Sequence, residues 1–115
     1  MEQIIAILFL DRTLTHMEHL RTDSYSKHKA LQKFYEGVVE LADDLAEMYQ
    51  GYEGLMKDIP VLDHPPKGKI DDILARRVIE IEKLRKGCSL SAIQNKIDEI
   101  VGLYLSTVYK LRQLS

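Results

Sequence analysis

The chain has 115 residues, 45% of them apolar and 30% charged, with three prolines and a formal net charge of −2. That length holds one domain and one core, and the composition excludes the disordered, collagenous and membrane classes. The small net charge supplies no general attraction to nucleic acid or acidic lipid, and the single cysteine, Cys88, closes no internal disulfide, which fits a cytoplasmic protein.

Ile4 through Leu10 is an unbroken apolar run, too short to span a bilayer and without the basic start of a secretory signal. It predicts the opening turns of a buried helix over residues 2–21, with Ile7, Leu10, Leu14 and Met17 inward. Thr22-Asp23-Ser24 follows as a turn and cap. A second helix is predicted from Ser24 or Ser26 to Gln50, its stripe being Leu31, Phe34, Val38, Leu41, Leu45 and Met48, with Gly51 as the stop. Residues 51–68 hold three glycines and all three prolines and predict a long connection. A third helix over 69–86 turns Ile70, Ile73, Leu74, Ile81 and Leu84 inward and stops at Gly87. Its basic residues Arg76, Arg77, Lys83, Arg85 and Lys86 interleave with acids and predict a solvated face. The fourth helix opens with Ser91 and Gln94 spaced as a capping box and turns Ile93, Ile97, Ile100, Tyr104, Val108 and Leu111 inward.

The pattern predicts an all-α fold: one four-helix bundle over residues 1–115, ferritin-like, with two hairpins joined by a long crossover. Fully extended, the link reaches about 55 Å, more than the roughly 36 Å of the second helix. A link folded locally in an up-down-up-down bundle is the alternative.

On the second helix, His28, Gln32, Glu36, Asp43 and Glu47 fall within about 100° of one another, opposite the apolar stripe. A turn centred near Thr22 sets His16 and His28 at one height. Imidazole and carboxylate together are ligands for iron or zinc. His28 and Asp43 lie about 22 Å apart along one helix, so only an antiparallel copy across a two-fold axis brings them to one ion. Ile5, Phe9 and Leu20 form a second apolar strip around His16, which is either a reason for a homodimer or packed inside the bundle, since the first helix of a small protein can be apolar over much of its circumference. The plain alternative is a solvated acidic face. His19 is a reserve ligand or a surface histidine, Tyr25, Tyr35, Tyr49 and Tyr52 are packing residues, and His64 has no obvious partner. No nucleophile motif, phosphate loop or CxxC pair is present.

The run from Thr15-His16 through Tyr25-Ser26-Lys27-His28-Lys29-Ala30-Leu31 to Asp43-Asp44-Leu45-Ala46-Glu47 resembles the first helical hairpin of the Dps group, the ferritin-like DNA-binding proteins from starved cells. The resemblance implies a ferroxidase-type site between two subunits, with His16, His28, Asp43 and Glu47 in ligand places. Gln32 stands where the family has a carboxylate, which implies weak ferroxidase activity or sequestration of iron or zinc. Family members also form twelve-subunit shells, so that assembly stands beside the dimer. The basic tail with which many Dps proteins hold DNA has no counterpart here, and no nucleic-acid or membrane partner is expected.

The whole chain also resembles short ferritin-like proteins of tailed bacteriophages, through the stretch around His28, Phe34-Tyr35 and Tyr49-Gln50-Gly51. That resemblance implies the host cytoplasm and no particular activity. It supports a second expectation, a catalytically silent bundle that binds a host or viral protein through the exposed face of its third and fourth helices.

Overall fold

Each segment with apolar residues at helical spacing is a helix in the computed structural model, which describes residues 1–114. The helices are α1 (Glu2–Arg21), α2 (Tyr25–Glu53), α3 (Ile70–Leu84) and α4 (Ser91–Gln113). The described residues contain no strand. Thr22-Asp23-Ser24 separates α1 from α2, and the Ser24 hydroxyl accepts the Lys27 N–H at 3.3 Å, satisfying one of the donors that a helix start leaves open.

α1 packs against α2 and α3, and α4 packs against the same two helices, so α1 and α4 sit on a diagonal. At one end of the bundle Arg112, near the close of α4, donates to Asp71 at 3.0 Å and Asp72 at 2.8 Å in the first turn of α3. Glu18, Thr22 and Gly68 line a cavity at that same end. At the other end the Lys57 N–H donates to the Glu2 carboxylate at 2.9 Å, so the link leaves α2 beside the start of α1. The link therefore runs the length of the bundle, and every neighbouring pair of helices is antiparallel. This is the crossover connectivity of ferritin-like bundles.

The core is built from one stripe of each helix, with Phe34, Leu45, Leu74, Ile81, Ile97 and Tyr104 fully buried. Phe34 and Tyr104 meet edge to face with ring centroids 4.8 Å apart. All six inward residues predicted for α4 are buried. The crossover covers α1 from outside, where Ile59 to Leu62 lie along Ala6, Phe9, Leu10 and Thr13. That cover lies over Ala6, while Ile4, Ile5 and Leu8 are buried in the core between the helices.

Several local expectations need correction. The inward stripe of α1 is Ile4, Leu8, Asp11, Thr15 and His19, whereas Leu10 and Leu14 are half-buried and Met17 is exposed. The unbroken apolar opening hid this phase, because a run that is apolar all round the helix gives periodicity no polar face to orient by. α2 passes through Gly51 and ends at Gly54, whose φ of +95° belongs to the left-handed side that glycine favours. α3 gives way to a single 3-10 turn, Arg85–Gly87, and Leu84 is exposed. The capping box of α4 does not form, since Leu90 is the N-cap. Gln94 instead donates to the Arg85 and Cys88 carbonyls, at 2.8 Å to Arg85, and accepts from the Arg85 guanidinium at 2.7 Å, stitching the α3–α4 turn.

Candidate functional site

The α1–α2 hairpin closes on a pair of histidines. His19 Nδ1 donates to the His28 carbonyl at 2.7 Å and His28 Nδ1 donates to the His19 carbonyl at 3.0 Å. A carbonyl only accepts, so both Nδ1 atoms carry a proton, and in the neutral form of either ring Nε2 is the acceptor. The two rings stack with centroids 3.6 Å apart. Beside them His16 stacks on Tyr35 at 4.1 Å, and the Arg12 guanidinium lies 5.9 Å from the same tyrosine ring.

Inside the bundle a second polar group joins three helices. Arg77 Nε on α3 reaches both carboxylate oxygens of Asp11 on α1, at 3.0 and 3.1 Å. The Tyr104 hydroxyl on α4 donates to the same carboxylate at 2.7 Å, and Arg77 Nη1 donates to Glu80 at 3.0 Å. Asp11 is fully buried, and burial pushes its carboxyl up to about 6 while the Arg77 charge and the Tyr104 hydroxyl pull it down. At neutral pH it is ionised and paired. Burial, with the Asp11 charge, pushes the Tyr104 hydroxyl well above its ordinary range. Closed off from solvent, this trio pins α1 to α3 and α4 and offers no surface to a substrate.

Sequence reasoning missed the trio, placing Arg77 on a solvated face. The available signal was position: Ile70, Leu74, Arg77 and Ile81 form an unbroken helical stripe with Arg77 inside it. Ile4, Leu8 and Asp11 set the matching phase on α1.

Of the predicted site residues, His16 and His28 are not level, because the turn is centred between Asp23 and Ser24 and His28 therefore faces His19. His19 lies between the two, with its ring 6.1 Å from that of His16. Gln32 donates to Glu36 at 3.0 Å. Asp43 and Glu47 are exposed on α2, at the far end from the histidines. Among the described residues of one chain, no three His, Cys, Asp or Glu side chains are grouped to hold a metal ion. A site shared between chains is a separate arrangement, which needs a second copy. Tyr25 and Tyr52 are exposed, while His64 lies 3.5 Å from Asp63 in the exposed link. On the face of α3 and α4 proposed from sequence for a partner, Ile79, Leu105 and Tyr109 are exposed.

Fold and surface together define a small helical bundle with an internal ionic pin and a histidine-clasped hairpin. Among the described residues no helix is long and apolar enough to cross a membrane. Residues 19–111 match a family of unknown function, DUF5856, and the chain belongs to that family. It is also similar to the uncharacterised 14.6 kDa protein of the mobD-ri intergenic region of Enterobacteria phage T4, with 28% identity over 96% of this chain and 86% of the relative. No solved structure matches the chain significantly.

Proposed function

We propose that this protein is a contact module that works as an assembled pair of helical bundles, with the outer face of the α1–α2 hairpin as its contact surface. One observation carries the reading. Phe9 and Leu20 are 41% and 71% exposed on the side of α1 turned away from the core, and Thr13 between them is also uncharged. Exposed Val61 of the crossover lies beside this strip. An apolar strip of this kind, flanked by polar groups, marks an interaction surface. Light scattering tests it with Phe9→Glu and Leu20→Glu combined. The variant keeps its helical circular dichroism and loses self-association, and an unchanged assembled mass contradicts the reading.

A second reading has its own support. Histidine ligands of metals commonly donate one ring N–H to a backbone carbonyl and present the other nitrogen, which is the state of His28. Asp43 and Glu47 have no hydrogen bond or ion pair among the described residues. In an assembled pair, His16 and His28 of one chain, with Gln32 nearby, would hold iron or zinc together with Asp43 and Glu47 of the partner subunit. Gln32 brings no charge, which favours sequestration over rapid oxidation of iron. Titration with Zn²⁺ decides the matter: His28→Ala and Glu47→Ala mixed together regain binding that neither has alone, whereas a wild-type protein that takes up no metal ends this reading.

A further inference from the structure

The small net charge of −2 is the balance of two opposed patches on different corners of the bundle. Along α3, acids and bases alternate in sequence, but the fold separates them. Arg112 holds Asp71 and Asp72, Arg77 holds Glu80, and Arg85 holds Glu82. Each of these arginines also ties α3 to a neighbouring helix, through Asp11 of α1 for Arg77 and Asp98 of α4 for Arg85. Every carboxylate of α3 is thus spent. Lys69, Arg76 and Lys83 are left exposed, in no ion pair among the described residues. They recur every seven residues, which sets them on one ridge about 10.5 Å apart. Lys67 and Lys86 are exposed beyond its two ends.

The opposite sign gathers on α2. Glu36, Glu40, Asp43, Asp44 and Glu47 are all exposed there, with no basic residue among them. Asp44 has Lys96 of α4 at 3.6 Å, a cation that it shares with Glu99 at 3.3 Å. Among the described residues Glu40, Asp43 and Glu47 have no cation, and Glu36 accepts only from neutral Gln32. With α1 and α4 on one diagonal of the bundle, α2 and α3 take the other. The two patches therefore face away from each other and do not meet within one chain. Glu36 with Asp43, and Glu40 with Glu47, repeat the seven-residue interval of the α3 ridge. Helices lying side by side match charges at that interval, which favours a helix over a nucleic acid as the occupant of the ridge.

We infer that the basic ridge of α3 docks the acidic side of α2 of a second copy, with Arg76 and Lys83 against Glu40 and Glu47 of the partner subunit. Two different surfaces meet, so the contact is heterologous and leaves each copy a ridge or an acidic side for a further one. Exposed ion pairs are individually weak and are screened by salt, so the contact forms at roughly millimolar protein and low ionic strength. It lies apart from the hairpin strip and adds to whatever that strip assembles.

Static light scattering at about 1 mM protein, in low and in high salt, reads the salt-sensitive part of the assembled mass. Wild type is expected to rise above its high-salt mass when salt is lowered. Two full-length variants are checked for native helicity, one with Lys69→Gln, Arg76→Gln and Lys83→Gln, the other with Glu36→Gln, Glu40→Gln, Asp43→Asn and Glu47→Gln. Each alone loses the rise, and an equal mixture restores it, because an intact ridge then meets an intact acidic side. Lys29→Gln, Lys33→Gln and Lys57→Gln together change the net charge as much as the first variant and keep the rise. Absence of the rise in wild type overturns the inference, and so does an equal loss in this last control, which assigns the effect to net charge. Duplex DNA bound through the same three cations by a wild type without self-attraction gives the ridge another occupant and overturns it as well. The hairpin pair is read separately, as the mass that remains in high salt.

Discussion

Asp11, Arg77 and Tyr104 show how much a few buried polar residues decide in a chain this small. A buried charge is tolerated only when it is paired, so removing one partner leaves the other exposed to the full cost of its burial. Arg77→Ala is therefore expected to destabilise the fold by about 3–5 kcal/mol in urea denaturation. Tyr104→Phe, which removes one hydrogen bond to the charge, is expected to cost about 1.5–3 kcal/mol. The pH dependence has a definite sign. The Asp11 carboxyl titrates at about 6 in the folded chain against an ordinary 3.8, so between these values the folded state holds a proton that the unfolded state lacks. Its contribution to stability rises as pH falls through 6 and levels off below 4. Relative to Asp11→Asn, wild type should gain on the order of 2 kcal/mol between pH 7 and pH 4.5. A relative loss over that range would mean that Arg77 outweighs burial and that the carboxyl titrates low.

At the scale of the helices, most of the architecture was legible because most of the core is apolar and periodic. α4 is the clearest case, with every inward residue assigned from spacing alone, and the crossover was readable in the length and proline content of the link. α1 was misphased because residues 4–10 are apolar all round, and periodicity gives no direction where there is no polar face. The true phase was carried by Asp11 and Thr15, which a rule that puts polar residues outside discards. The histidine clasp was missed for a smaller reason, a turn centre displaced by little more than a residue, which in an antiparallel hairpin shifts the pairing by nearly a turn. The two glycines at the end of α2 show the same difference between type and context. Gly51 lies inside the helix, and a methyl group there meets nothing within 4 Å, so Gly51→Ala should stabilise by about 0.5–1 kcal/mol. Gly54, at φ +95° and ψ −179°, holds a backbone conformation closed to other residues, and Gly54→Ala should cost about 1–3 kcal/mol. Chemical denaturation of the two variants side by side checks both, and a reversed order would return the helix stop to Gly51.

For the whole molecule, the outer hairpin surface was half visible in the sequence. Phe9 and Leu20 were recognised as a second apolar strip, and both are exposed; Ile5, grouped with them, is buried under neighbouring helices. Association through the apolar strip of α1 should persist as salt is raised, because screening weakens ionic contacts and not apolar burial. The most direct test is the mass of the wild-type chain in solution, read by light scattering at tens of micromolar protein and low salt. The chain mass is 13.3 kDa; self-pairing through the apolar strip of the hairpin predicts twice that value, retained as salt is raised. A mass that stays at one chain under every condition would contradict the account.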